Sequence, residues 1–590
     1  MPSGRNDPCR CGSGRKYKKC CALEAGELHR LGVLAVAAGR HDQAEPLLRQ
    51  AVARQPDCAP YHVNLGVALS GLGRREEAAA ECREALRLAP DFVEALSNLG
   101  CILRDLNRPG EALPHLEKAA VLAPQSARAA EGCARALTEL KRWSEAEPHF
   151  ARWLRLAPDS VVPHLAIADY YARQKLWPEA EAHSVQALER EPGSVEAASN
   201  LAACLGERGR SVEALAFLRE AVRLNPGNAS AWANLGCTLR RLGQDETALR
   251  CFDFAVSVDP DHATAHWNRA SLLLSLGRMT EGWAEYEWGW KSGARNPGRL
   301  CRQPRWEGSD PAGKTILVWM EQGLGDHIVF SSMLPDLARA GARCIVECEP
   351  RLVTLFQRSF PAMEVVPQTQ PPHPRTLAPD IDFQIPAGSL ARWFRPTLES
   401  FPERRGFLVP DPAGVKRWKE RVAALGPGLK VGVCWRSKPA QGVRSQGNTD
   451  LGQWGPILTA PGAQFVNLQY DRCDEELRQA GRLFGVPLHV WEDMDLKNDQ
   501  EGVAALISAL DLVLTATTAV VQMAGAVGAP AWVLSQLADL SWWEMGSGRC
   551  PWHPSVRIFP CGVSAAWEPV IESMASALRE LAVEAIGDGR

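Results

Sequence analysis

What the 590-residue sequence has least of is net charge: 66 basic against 69 acidic side chains leave −3 at pH 7, with a pI near 6.5. Broad nucleic-acid binding needs a basic surface, so it is disfavoured. Nor is a secretory leader expected. Most of the 18 cysteines lie singly in apolar helical settings, as at Cys82, Cys101, Cys237 and Cys251, where Cys acts as a small hydrophobe. That usage predicts a reducing, cytoplasmic setting without disulfides. Nor is a membrane span expected. Leu512 to Ser535 lacks charge and is long enough to cross a bilayer. It nevertheless carries three threonines, Gln522, Gly525, Gly528 and Pro530, and reads as strand, helix, strand. With 46% hydrophobic and 23% charged residues, the composition is that of an ordinary globular chain, long enough for several domains.

Residues 1–22 hold Cys9, Cys11, Cys20 and Cys21 between glycines and basic residues. So short a segment builds no hydrophobic core, and one four-coordinate zinc accounts for all four thiols. The pattern C-x-C, eight residues, C-C resembles the SEC-C motif, known from the zinc-binding tail of the SecA translocation ATPase. The resemblance implies a structural zinc and a role in docking onto proteins.

From residue 24 to about 297 the chain repeats. Proline recurs every 34 residues at Pro56, Pro90, Pro124, Pro158, Pro192, Pro226 and Pro260. Small residues keep the same register at Ala44, Ala78, Ala112, Ala146, Ala180, Ala214 and Ala248, where two helices must approach closely. The period resembles the tetratricopeptide repeat, in about eight copies, the last from about Ala263 being a cap or junction. Such helix pairs stack into an all-α superhelix whose concave groove ordinarily binds a polypeptide. Asn64, Asn98, Asn200, Asn234 and Asn268 share one phase of the repeat. An Asn both donates and accepts, so a ladder of them can grip an extended backbone. This resembles the asparagine ladder of the O-linked N-acetylglucosamine transferases, although it lapses at Gly132 and Ala166. The same phase also suits a solvated helix surface on which Asn is merely tolerated.

After a Pro-, Trp- and Gly-rich linker, Pro304 to Gly313, alternating strands and helices predict two doubly wound α/β domains with a cleft between them, residues 310–410 and 428–590. The first opens with Thr315 to Ala340: a short apolar strand, the turn Gly323-Leu324-Gly325-Asp326, then one helix carrying Ile328, Val329, Met333, Leu334 and Leu337. Gly323 and Gly325 let a ligand approach the backbone, and the helix start aims N–H groups at it. Asp326 suits either deprotonation of a hydroxyl or a helix cap. The Pro- and Gly-rich stretch 400–428 reads as the connection between the halves, and the closing helix Trp567 to Leu581 is expected to cross back over the first half.

The stretches GLGDHIVFSSMLP, VGVCWRSKP, ALDLVLTATTAVVQMAGAVGAPAWVL and PWHPSVRIF resemble the GT-B glycosyltransferases of the heptosyltransferase kind. More particularly, they are similar to bacterial proteins that fuse tetratricopeptide repeats to such a domain, some of which glycosylate flagellin. The resemblance implies Asp326 as catalytic base, and Lys438, with Arg436 and Ser437 beside it, as contacts to the donor phosphates. Where that family reads D-T-x-x-x-H, this chain has Thr517, Thr518 and, at the histidine position, Gln522. Hydroxyls at a helix start still suit a phosphate. Gln469 ends a strand facing the cleft, in reach of a base. The reading that follows is a protein O-glycosyltransferase that moves a sugar from a nucleotide sugar to Ser or Thr of a groove-bound protein, flagellin first among candidates. Transfer proceeds with inversion and without a catalytic metal. The competing reading is a non-enzymatic scaffold around a degenerate transferase domain.

Overall fold

The computed structural model describes residues 21–295, 299, 301–437, 449–536, 549–561 and 566–587, with the backbone alone for 21–23, 536 and 586–587. The chain divides into two compact units, Met1–Cys204 and Leu205–Arg590. The division falls within a helix of the repeat region and not at the Pro304 to Gly313 stretch.

The described part of the first unit is helical: α1 (Cys21–Ala37), α2 (His41–Arg54), α3 (Ala59–Gly71), α4 (Arg75–Leu88), α5 (Val93–Asp105), α6 (Pro109–Leu122), α7 (Ala127–Glu139), α8 (Trp143–Leu156), α9 (Val161–Arg173), α10 (Trp177–Arg190) and most of α11 (Val195–Glu207). The small residues in register are there for contact. Ala44, Ala78, Ala112, Ala146 and Ala180 are fully buried, and a Cβ on Gly100 would come 2.4 Å from Leu116 Cγ. Between the two helices of each pair one residue is left-handed. Gly39 and Gly73 fill that place, then Asn107, Lys141 and Lys175, with Gly209, Gly243 and Gly277 in the later repeats. A side chain costs roughly 1 kcal/mol or more there, which is why glycine prevails.

The second unit begins with α12 (Ser211–Leu224), α13 (Ala229–Arg241), α14 (Asp245–Val258), α15 (Ala263–Ser275), the shortened α16 (Met279–Tyr286) and α17 (Gly289–Ser292). A four-stranded parallel sheet follows, β1 (Thr315–Trp319), β2 (Arg343–Cys348), β3 (Glu364–Pro367) and β4 (Phe383–Pro386), in the order β3-β2-β1-β4. Its helices are α18 (Leu324–Ser331), α19 (Leu334–Arg339), α20 (Val353–Ser359) and α21 (Ala391–Phe394). After α22 (Pro412–Ala423) comes a six-stranded parallel sheet. It is built from β5 (Leu429–Cys434), β6 (Ala463–Asn467), β7 (Leu488–His489), β8 (Leu512–Ala516), β9 (Ala531–Gln536) and β10 (Val556–Cys561), in the order β10-β9-β8-β5-β6-β7. Helices α23 (Gly455–Leu458), α24 (Asp474–Phe484), α25 (Gln500–Ile507), α26 (Ala519–Val527) and α27 (Glu568–Gly587) belong to it. Every residue of β1 and of β8 is buried, as parallel strands covered on both faces must be.

Four expectations are corrected. The single helix after the glycine turn is two, α18 and α19, because Pro335 has no N–H for the Ser331 carbonyl and its ring crowds that turn. The Ser332 carbonyl, left without a helical donor, accepts from the guanidinium groups of Arg404 and Arg395. The linker is no loose tether: Trp306 is buried, its N–H donates to the Gln384 carbonyl (2.9 Å), and the Gln384 N–H donates to the Pro304 carbonyl (3.0 Å). Residues 304–306 thus lie along the β4 edge of the first sheet. The closing helix α27 buries Ile571, Met574, Ala575 and Leu578 in the core of the second sheet instead of crossing to the first. Finally, β7 and β10 were not foreseen. The first has only two residues, and β10 is interrupted by the exposed Arg557 and Pro560, so neither presents a long apolar run.

Among the described residues no helix is long and apolar enough to cross a membrane. The charge-free stretch after Asp511 is β8, α26 and β9.

Candidate functional site

In each sheet the strand order reverses beside the first strand of its half, β5 against β8 and β1 against β4. Open α/β sheets bind ligands outside the carboxyl ends of such a strand pair.

At the end of β5 and β8 a buried polar cluster is assembled. Thr518 caps α26, its hydroxyl accepting from the Val520 N–H (3.2 Å), and lies 3.1 Å from the Thr515 hydroxyl and 3.8 Å from Cys434 Sγ. Burial pushes the Cys434 thiol up to about 12, so it stays neutral. Gln469, 2% exposed, accepts from the Arg436 N–H (3.2 Å) through Oε1. Arg436 is paired with Glu476 of α24 (2.8 Å), which raises the guanidinium further, and donates to the Arg472 carbonyl (3.0 Å). Three buried atoms at these strand ends have no hydrogen-bond partner among the described residues: Arg436 Nη1, Gln469 Nε2 and Asp471 Oδ2. Buried donors without partners are rare in folded proteins, so each calls for an explanation.

The glycine turn of the first half meets this region. A Cβ on Gly325 would stand 3.3 Å from Gln522 Cγ and 3.7 Å from Ala519 Cα, so the starts of α18 and α26 are in contact and a side chain at 325 would press on Gln522. Both helices direct unpaired N–H groups and the positive ends of their dipoles outward from their sheets. Asp326, half-buried, accepts the Gly323 N–H through Oδ2 (3.0 Å). It therefore caps its own helix, and the same bond fixes the orientation of the carboxylate. The adjoining His327 is buried and accepts the Glu349 N–H through Nδ1 (3.2 Å); burial lowers its pKa to about 4, leaving it neutral.

The reversal point of the first sheet is filled. Glu321, two residues beyond β1, accepts from the Gly388 N–H (3.1 Å) and from Arg295 Nε (3.0 Å) and Nη2. Arg295 is itself buried, donates to Ser389 Oγ (3.1 Å), and lies against the rings of Tyr286 and Trp290 (4.4 and 3.9 Å). No ligand can enter between the ends of β1 and β4 without displacing this arginine.

The remaining positions are placed as follows. Gln522 spends its Oε1 on His553 Nε2 (2.6 Å). That imidazole is buried, held near a pKa of 3 by desolvation, and approaches α26 so closely that a Cβ on Gly525 would lie 2.2 Å from it. Thr517 is half-buried at the start of α26, and Ser437 is half-buried just past β5. Lys438 lies outside the described residues, as do Cys9, Cys11 and Cys20; of Cys21 only the backbone is described, at the first position of α1. In the first unit Asn64 Nδ2 contacts His29 Nε2 (2.7 Å), Asn98 is buried and accepts from Arg128 (2.6 Å), and Asn200 is half-buried. In the second unit Asn268 donates to Cys237 Sγ (3.1 Å) and Asn234 is half-buried. Asn64, Asn98 and Asn268 thus already spend hydrogen-bonding capacity within the protein. Sequence reasoning missed Glu321, Arg295, Tyr286 and Asp471; a lone Arg in a polar junction carries no signal of a partner 26 residues on.

Residues 29–91, 97–161, 165–229 and 234–287 match the family described as tetratricopeptide repeat, as do 217–250 in a second version, and residues 5–23 match the SEC-C motif. Protein FlbA of Caulobacter vibrioides is 38% identical over 332 residues, 53% of this chain and 54% of that protein. The chain therefore spans about half the length of that relative. A 21-residue stretch is 81% identical to the protein translocase subunit SecA of Desulfovibrio desulfuricans, 4% of this chain and 2% of that one. Among solved structures, a tetratricopeptide repeat protein from Parabacteroides merdae has 19% identity and a TM-score of 0.36, covering 42% of this chain and 98% of its own. Pseudomonas aeruginosa pilF has 22% and 0.32, covering 36% and 96%. Residues 29–287 are tetratricopeptide repeats behind a SEC-C motif, and the chain continues into two parallel sheets.

Proposed function

We propose that the protein is a GT-B-type O-glycosyltransferase that modifies a protein held by its repeats. The observation that carries this reading is the meeting of the α18 and α26 starts at Gly325 and Gln522, beside a cluster whose buried Arg436 and Gln469 donors lack partners among the described residues. Two helix starts and a guanidinium suit the phosphates of a nucleotide sugar. Arg436, Ser437, Gln469, Thr517 and Thr518 take the donor, with Lys438 joining them and Gln522 acting through His553. Asp326 removes the proton from an acceptor Ser or Thr while that oxygen attacks the anomeric carbon. The anomeric bond to phosphate breaks, its electron pair leaves with the nucleotide, and configuration inverts. The groove asparagines hold the acceptor backbone, and flagellin is the first acceptor to test.

Nucleotides supply the direct test. At a concentration about 100 times its Kd, the right nucleoside diphosphate or monophosphate stabilises the fold by about 2.7 kcal/mol, read as a raised unfolding temperature. If uridine, guanosine, adenosine and cytidine nucleotides all leave the temperature unchanged, the donor site is not there. That outcome would leave the second reading, a scaffold with a degenerate transferase domain, which is favoured by the filled crevice at Arg295 and by the capping bond of Asp326.

The amino-terminal motif is assigned a structural zinc held by Cys9, Cys11, Cys20 and Cys21 as a tetrathiolate. Purified protein is expected to carry one zinc per chain by elemental analysis, and a Cys9→Ser, Cys11→Ser variant about none. Equal metal in the two preparations rejects the assignment.

A further inference from the structure

The residues just before the glycine turn are held from outside their own domain. Glu321 is gripped by Arg295, and Gln322 donates its Nε2–H to the Tyr286 hydroxyl (2.8 Å). Tyr286 is the last residue of α16, in the terminal repeat; Arg295 follows three residues after α17. Gln322 is left-handed (φ 65°), a conformation that costs a side chain roughly 1 kcal/mol or more. Tyr286 is buried and braced by the rings of Trp283 and Trp267. The next residue, Gly323, gives its N–H to Asp326. A chain of contacts thus runs from the terminal repeat through Gln322 and Gly323 to the carboxylate. Burial above all pushes the Tyr286 phenol up, and the charges of Glu321 and then Asp326 add to it, so Asp326 and Tyr286 lie within electrostatic reach.

We infer that Tyr286 is a positioning residue: its hydroxyl locks Gln322 in the left-handed turn and so fixes where Asp326 stands, which makes the terminal repeat part of the site. The role of Asp326 as base rests on the function proposed above; the locking of the turn does not. Tyr286→Phe keeps the buried ring and removes one hydrogen bond. By hydrogen exchange on the full chain, amides of residues 322–327 are expected to lose about fivefold in protection in Tyr286→Phe, as for one bond of ordinary strength. Amides of β5 and β8 keep theirs. Gln322→Gly also lacks the bond but needs no left-handed strain, so it is expected to lose less protection than Gln322→Ala. Adding Tyr286→Phe to Gln322→Ala should change exchange no further. Unchanged protection of the turn in Tyr286→Phe, or full additivity in the double variant, overturns the proposal. Where a nucleotide sugar turns over, Tyr286→Phe is expected to lower kcat several-fold with KM for the donor unchanged, and an equal fall in both overturns the positioning role. Absence of nucleotide protection in the unsubstituted protein would fail the transferase reading while leaving the exchange result to stand.

Discussion

Asp326→Asn is expected to abolish most sugar transfer, a loss on the order of 10²–10⁴-fold, while nucleotide protection persists. The substitution isolates the chemistry because Asn retains the geometry. Its Oδ1 accepts the Gly323 N–H as Asp326 Oδ2 does (3.0 Å), so the cap and the turn survive. What disappears is the proton acceptor. Asp326→Ala removes both and adds about 1 kcal/mol of lost capping, so the comparison of the two variants separates base from cap. The measurement is intact-mass analysis of an acceptor protein incubated with donor. If Asn and Asp proteins transfer equally while Ala does not, Asp326 is a cap and the base lies elsewhere.

Arg295→Met is expected to destabilise the second unit by about 3–5 kcal/mol, because Glu321 is then left buried without its cation. That is a large part of the roughly 5–15 kcal/mol that ordinarily separates folded from unfolded domains. Burial by itself raises the Glu321 carboxyl, and Arg295 is the largest influence opposing it. Without the arginine the folded protein binds a proton more tightly than the unfolded chain does. The stability of the variant should therefore fall as pH rises from the unfolded carboxylate pKa, about 4.3, through the raised folded value. Denaturant unfolding at pH 5 and pH 8 reads this: the variant should lose more relative to the unsubstituted protein at pH 8. Adding Glu321→Leu removes the orphaned charge and should restore most of the loss. A single variant as stable as the unsubstituted protein at pH 8 would show that water or Arg305, which already pairs with Glu287, takes over the role of Arg295.

The filled crevice changes how a reaction would have to proceed. Because Arg295 occupies the reversal point of the first sheet, the reacting groups would meet over the joined starts of α18 and α26, where Asp326 stands. Gln522 also acquires a local meaning. The position is committed to His553, a buried neutral imidazole that packs where Gly525 leaves room.

Local pattern was enough for the periodic parts. A proline and a small residue every 34 positions specify helix pairs, since a helix pair can bury its apolar face only against the next one. Apolar runs at β1, β5, β8 and β9 announce themselves because a strand covered on both faces carries mostly apolar side chains. The break at Pro335 was also written in the sequence, and helical spacing on either side concealed it. The asparagine phase was visible, but its hydrogen bonds to His29, Arg128 and Cys237 were not, since the partners lie about one repeat away and recur in no register.

The sequence by itself determined the repeat period, the Cys-rich start, and the two turns at Gly323 to Asp326 and Thr517 to Thr518, because each depends on neighbours within a few residues or on a fixed spacing. Only the tertiary structure decided that those two turns touch, that Arg295 closes one crevice while Arg436 and Gln469 at the other have donors without partners among the described residues, and that Tyr286 reaches Gln322. Such facts come from long-range packing, in which a charged or polar side chain takes whichever partner the folded core brings within 3 Å or so, and no local pattern encodes that choice.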